Sequence, residues 1–203
     1  MFSIIEAAGW PIWPLIIASI IAVAIIGDRF WTLRDSLVMP RGLLSQTVQE
    51  YRQNGATPQA LERLATGSPL GQILAAGLKN IKTSREVLKE SIEEAAHLSA
   101  INLERFLTTL GTIAAISPLM GLFGTVIGMI EIFGSTSPSG NSNPVQLAHG
   151  ISIALYNTAF GLVVAVPSMI FYRHFRGKVD TLLVEMEMQG VKLVEILHGE
   201  RQA

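Results

Sequence analysis

The sequence predicts an all-α integral membrane protein with three transmembrane helices. Two observations carry that prediction, and a third orients the chain. The 203 residues are 49% hydrophobic and only 15% charged, where a soluble domain carries about 25% charge. The missing charge is concentrated: segments 7–27, 106–130 and 150–172 contain no Asp, Glu, Lys or Arg. Each reaches the roughly 20 residues that a helix needs to cross about 30 Å of hydrocarbon. Three such runs cannot share the core of a soluble protein this small. Basic residues supply the orientation. Of the 15 Lys and Arg, ten lie within 28–105 and five within 173–203, while 1–12 and 131–149 carry only Glu6 and Glu131 as charges. Lys and Arg are retained in the cytoplasm during insertion. The N-terminus is therefore expected outside and the C-terminus in the cytoplasm.

The elements follow in order. Residues 1–12 form a short external N-terminus and 13–30 the first transmembrane helix, with Trp10 and Trp13 at one end and Phe30 and Trp31 at the other as interfacial belt residues. A cleavable signal peptide does not fit, because Arg29 and Arg34 follow the apolar run and no basic segment precedes it. Residues 31–106 read as a cytoplasmic helical region. Thr57-Pro58 supplies an N-cap and a first-turn proline for a helix over 59–65. Gly67-Ser68-Pro69 breaks the chain, and 70–81 is apolar at helical spacing. Thr83 with Glu86 forms a capping box. From there one helix of about 50 residues is expected to run from the cytoplasm through the second transmembrane helix, 107–133. Its cytoplasmic part sets Val87, Leu88, Ile92, Leu98 and Ile101 against Arg85, Lys89, Glu90, Glu93 and Glu94, an amphipathic pattern that needs a partner surface. Residues 134–149 are an external loop rich in Ser, Pro, Gly and Asn. The third transmembrane helix, 150–172, continues into a cytoplasmic helical tail, 173–203. No internal repeat is evident.

Small residues mark the second and third spans. Ser117, Gly121, Gly124, Thr125 and Gly128 recur at offsets of three and four, as do Ala154, Thr158, Gly161, Ala165 and Ser168, so each set shares a helix face. Small faces let membrane helices approach closely. Ser117, Gly121, Gly124, Gly128, Ala154, Gly161 and Ala165 are read as helix-packing residues. The hydroxyls of Thr125 and Thr158 have two fates open to them: bonding back to a carbonyl one turn earlier, or lining a pore. Asn157 has no such local escape, and an amide against lipid is costly, so it is expected to face another helix or a polar lumen. With Thr125 and Thr158 it completes the candidate pore-lining set. Glu131 ends the second span on the external side, as an interfacial residue or as the mouth of a pore.

Several classes are excluded. The chain has no cysteine, which removes disulfides, thiolate metal sites and thiol catalysis. No hydrolase triad, phosphate loop, metal site or dense basic block is present, so no enzymatic activity, cofactor or nucleic-acid partner is expected. No ionisable side chain lies at hydrocarbon depth, although a proton relay normally requires one. The chain alone offers at most a hydroxyl-lined wall around a carboxylate contributed by a partner. Three helices with small, partly polar faces cannot enclose a pore by themselves, which points to an oligomer in the bilayer; the fold class expected is all-α with the second and third helices extended into the cytoplasm.

Ser117-Pro-Leu-Met-Gly-Leu-Phe-Gly-Thr-Val-Ile-Gly-Met-Ile130, Gly150-Ile-Ser-Ile-Ala-Leu-Tyr-Asn-Thr-Ala-Phe-Gly-Leu162 and Val164-Ala-Val-Pro-Ser168 resemble the signature of the MotA/TolQ/ExbB proton-channel family. Asp28-Arg-Phe-Trp-Thr-Leu33 is similar to the segment after the first span in short ExbB-like members, and the three-span topology fits the ExbB/TolQ branch. The resemblance implies an inner-membrane pentamer around a dimer of a single-span ExbD- or TolR-like partner that supplies a membrane aspartate. It implies that Thr125 and Thr158 are the family's pore threonines. Proton flow through the ring would move the partner, and a TonB- or TolA-like protein would relay the work to the outer membrane. Many ExbB proteins carry a glutamate where this sequence has Ile153, so no glutamate role is transferred. The alternative is a non-conducting membrane scaffold that positions the partner. A solute transporter is disfavoured, since repeat halves and broken helices are lacking.

Overall fold

A computed structural model describes residues 8–134 and 144–198. The expectations for Glu6, for most of the 134–149 loop and for the end of the tail lie outside the described residues. Within them the chain forms eight helices and no strand: α1 (Ile12–Thr32), α2 (Asp35–Val38), α3 (Leu43–Asn54), α4 (Pro58–Gly67), α5 (Pro69–Lys79), α6 (Arg85–Leu103), α7 (Leu107–Gly134) and α8 (Pro144–Leu197). Three are long and apolar enough to cross a membrane: Ile12–Thr32, Leu107–Gly134 and Leu147–Leu197. The chain divides into two compact units. The first comprises Met1–Asp28 and Phe106–His174, the second Arg29–Arg105 and Phe175–Ala203.

In the first unit, α1 buries Ile12, Leu15, Ala22 and Ile25 and leaves Ile17, Ile20, Ile21 and Val23 exposed. The buried positions fall on one helical stripe, and a second apolar face remains for lipid. Gly9, at φ 70°, occupies the left-handed region that costs a glycine nothing. The chain thereby turns into α1 within a few residues. α7 and α8 run antiparallel, with Ser117 level with Gly161 and Gly128 level with Gly150.

The second unit is a water-type bundle. Thr57 caps α4 by accepting from the Ala60 N–H at 3.4 Å, and Ser68 caps α5 by accepting from the Gly71 N–H at 3.1 Å, each followed by a proline. Leu70, Ile73, Leu74 and Leu78 of α5 are buried, as are Leu88, Ile92, Ala96 and Leu103 of α6 and Phe175, Val179, Leu182, Met186 and Leu193 of α8. A fully buried leucine or isoleucine contributes about 2 kcal/mol. Gly190 lets α8 sit close: a Cβ there would lie 2.9 Å from Ile92 Cγ2 and 3.1 Å from Ile73 Cγ2. Leu88 and Ile92 of the amphipathic face of α6 thus find partners within the chain, while Val87, Leu98 and Ile101 stay exposed.

Two expectations are corrected. The continuous helix from the cytoplasm through the second span is broken, because α6 stops at Leu103 and α7 starts at Leu107. Between them Phe106 takes φ 62°, a left-handed conformation costing about 1 kcal/mol in a non-glycine residue. The broken end is stabilised from elsewhere. Arg29, only 5% exposed, donates from Nη1 to the Leu103 carbonyl at 3.2 Å, and Glu104 pairs with Arg176 at 2.6 Å. A cation on the open carbonyls of a helix C-terminus is favourable. Arg29 is therefore a buried cap. The third span does continue, as α8, to Leu197. The second correction is a shift of one residue: Ser84, not Thr83, caps α6, accepting from Val87 N–H at 3.4 Å, while Thr83 donates to the Asn80 carbonyl at 2.6 Å.

Candidate functional site

The candidate site is the seam between α7 and α8. Its contacts are backbone to backbone. A Cβ at Gly121 would lie 2.9 Å from the Asn157 carbonyl oxygen and 3.1 Å from Thr158 Cα; one at Gly161 would lie 2.7 Å from the Ser117 carbonyl oxygen. At Gly128 the Gly150 carbonyl oxygen would be 2.5 Å away, and at Gly150 the Ile132 side chain equally close. Every one of these positions requires glycine at the observed separation. Ser117 and Ala165 are buried along the same seam, and the Ser117 hydroxyl is satisfied by the Ile113 carbonyl at 2.7 Å. Ala154 meets Gly128, its N and Cβ lying 3.0 and 3.2 Å from a Cβ built there.

The three residues expected to line a pore separate into two kinds. Asn157 is fully buried within the chain. A Cβ at Gly124 would fall inside its side chain. Its Nδ2 donates to the Ala8 carbonyl at 2.7 Å and to the Ile153 carbonyl at 2.8 Å, while Oδ1 has no partner among the described residues. Within the chain Asn157 therefore faces α7 and neighbouring backbone, the first of the two surroundings expected for it. The amide is too well placed between two carbonyls to be drawn to a surface.

Thr125 and Thr158 are half-buried at the flank of the seam. Thr125 donates to the Leu122 carbonyl at 2.6 Å; Thr158 shares its proton between Ala154 at 3.2 Å and, across the seam, Gly121 at 3.4 Å. Each hydroxyl oxygen keeps acceptor capacity. Thr125 follows Gly124, Thr158 follows Asn157, and Gly124 meets Asn157. In an antiparallel pair, one step beyond such a contact turns both side chains to the same edge. One step before it turns Phe123 and Tyr156 to the other edge. The segment entering α1 lies along that other edge and covers it only in part: the Trp10 ring stands edge-on to Phe123 at 6.0 Å and a Cβ at Gly9 would touch Ile153 at 3.7 Å, while Phe123 and Tyr156 stay exposed. Ile153 is buried there.

A relation that sequence reading missed follows from this register. Shifting Gly121-Leu-Phe-Gly-Thr-Val-Ile-Gly128 by 33 residues superposes it on Ala154-Leu-Tyr-Asn-Thr-Ala-Phe-Gly161. The leucines, threonines and final glycines are identical and Phe123 matches Tyr156. The signal was present as a short self-alignment, but eight residues with three identities do not stand out until the two stretches are seen to pair. Glu131 lies exposed in the last turn of α7, and among the described residues no cluster of three or more His, Cys, Asp or Glu is placed to hold a metal.

Comparison with known proteins bears on this geometry. Residues 65–188, which include the whole seam, match the family described as the MotA/TolQ/ExbB proton channel family. The biopolymer transport protein exbB1 of Vibrio cholerae is 32% identical over 171 residues, covering 81% of this chain and 74% of that protein. The Tol-Pal system protein TolQ of Pseudomonas aeruginosa is 30% identical over 182 residues, covering 84% and 71%. The biopolymer transport protein ExbB of Aquifex aeolicus is 32% identical over 127 residues, covering 63% and 80%.

Proposed function

The chain belongs to the MotA/TolQ/ExbB proton channel family, and from that premise we propose that it is the wall-forming subunit of an inner-membrane proton channel that drives mechanical work. It is a multi-pass membrane protein and a component of an energy-transduction system of the ExbB/TolQ kind. In the proposed assembly, copies form a pentamer with N-termini in the periplasm and the tail of α8 in the cytoplasm. Thr125 and Thr158 line the lumen. An ExbD- or TolR-like single-span partner brings the carboxylate that carries the proton, and Glu131 draws cations to the external mouth. The work passes to a TonB- or TolA-like protein; relatives named exbB1 and TolQ both match the chain. No enzymatic step is assigned to it.

The observation that carries this reading is the pair of threonines on one edge of a seam whose other edge is occupied by Ala8, Gly9 and Trp10. The aromatic edge carries Phe123 and Tyr156 beside that segment, and the opposite edge carries the two hydroxyls. Those hydroxyls are suited to hold a proton-bearing group from another chain, because this chain has no Asp, Glu, His, Lys or Arg at that depth. One observation favours the scaffold alternative: both hydroxyl protons are already donated to carbonyls. The test is Thr125→Val and Thr158→Val, which keep shape and remove the oxygen. Each is expected to lower partner-dependent work in cells at least tenfold with the oligomer intact on native gels. Full activity in both variants sinks the pore role.

A further inference from the structure

The seam poses a mechanical problem. Ser117, Gly121, Gly124 and Gly128 face Gly150, Ala154 and Gly161, and surfaces this smooth permit close approach without the ridges and grooves that fix how one helix is rotated against another. Something must hold α8 at the angle that keeps Thr158 on its edge. At the centre of the seam, against Gly124, lies the fully buried side chain of Asn157.

We propose that Asn157 is a positioning residue that keys α8 against α7 and so holds Thr158 at the pore edge; the proposal rests on the pore reading above. Gly124 is the hole for this key, since even a methyl group there would overlap Asn157 Cβ and Cγ. The key is also tied in two directions. Nδ2 binds the Ile153 carbonyl one turn back on its own helix and the Ala8 carbonyl 149 residues away, so α8, α7 and the segment entering α1 meet at one amide. Turning α8 by a single residue, about 100°, would pull the amide out of its hole, strip both bonds and move Thr158 off the edge.

Oδ1, which has no donor among the described residues, argues for the same role. A buried acceptor without a donor costs free energy, so a seam selected for stability alone would carry an apolar residue at this position. A lone buried amide that fixes the register of a helix pair is an attested use of such a cost.

Because the chain contains no cysteine, single-cysteine labelling is clean. In the full complex in membranes, Thr158→Cys is labelled with a water-soluble cationic thiosulfonate, alone and combined with Asn157→Ala or Asn157→Leu. Leucine keeps volume in the Gly124 hole and removes only the donated bonds, so it remains informative where alanine disturbs assembly. Glu185→Cys, exposed on α8, serves as the control for folding and reagent access. Labelling at 158 is expected to slow at least tenfold in both double variants, with labelling at 185 unchanged. Equal rates at 158 with and without Asn157 overturn the positioning role. No labelling at 158 even with Asn157 in place overturns the pore reading instead, and the positioning role with it.

Discussion

The two units of this chain solve helix packing by opposite means. In the second unit α5, α6 and α8 interlock large side chains, Ile73, Leu74, Leu88, Phe175, Leu182 and Met186 among them. Helix starts are capped by Thr57, Ser68 and Ser84, and charge pairs such as Glu104 with Arg176, Asp35 with Lys178 and Glu50 with Arg63 lie at the rim. In the first unit α7 and α8 meet through glycine, alanine and serine, and the hydroxyls of Ser117, Thr125, Thr158 and Ser168 are satisfied by carbonyls of their own helices. The solvents explain the difference. Water drives apolar side chains together, whereas lipid is as apolar as leucine and rewards only close contact and complete polar pairing.

That contrast is broken most severely by adding bulk to the seam. Gly128→Leu places a side chain where a Cβ already lies 2.5 Å from the Gly150 carbonyl. It is expected to cost about 3 kcal/mol, the upper end for overpacking, and to abolish assembly on native gels. The bundle fails through the opposite change, loss of bulk. Leu182→Ala removes a fully buried side chain and is expected to cost about 3 kcal/mol, read as a fall in thermal midpoint. Gly128→Ala and Leu182→Met sharpen the comparison: the conservative swap is tolerated in the bundle, within about 1.5 kcal/mol, while even one methyl group is harmful in the seam. The smallest effect is expected from Arg176→Gln. Its pair with Glu104 is 47% and 33% exposed, so the loss is below about 1 kcal/mol and disappears at high salt.

Charge patterning made the three long apolar helices legible, because a charge-free run has no other economical home. Thr57-Pro58 and Ser68-Pro69 were legible for a local reason: a cap hydroxyl and a proline act within three residues. The break before α7 was not. No glycine or proline marks it, and the group that caps it, Arg29, reaches the Leu103 carbonyl from 74 positions away. The fate of Asn157 was equally hidden. An amide suits a lumen or a carbonyl-lined crevice, and only the placement of Gly124 and Ala8 decides between them. The matched stretches around Thr125 and Thr158 gave their relation away only once paired.

The central claim is that this chain supplies a hydroxyl wall and another chain supplies the proton carrier. Proton flux into liposomes tests it most directly, with the purified oligomer alone and with its single-span partner. The account predicts that the oligomer alone is no leakier than empty liposomes, and that flux appears with the partner and falls at least tenfold in Thr158→Val. Equal flux with and without the partner would contradict it.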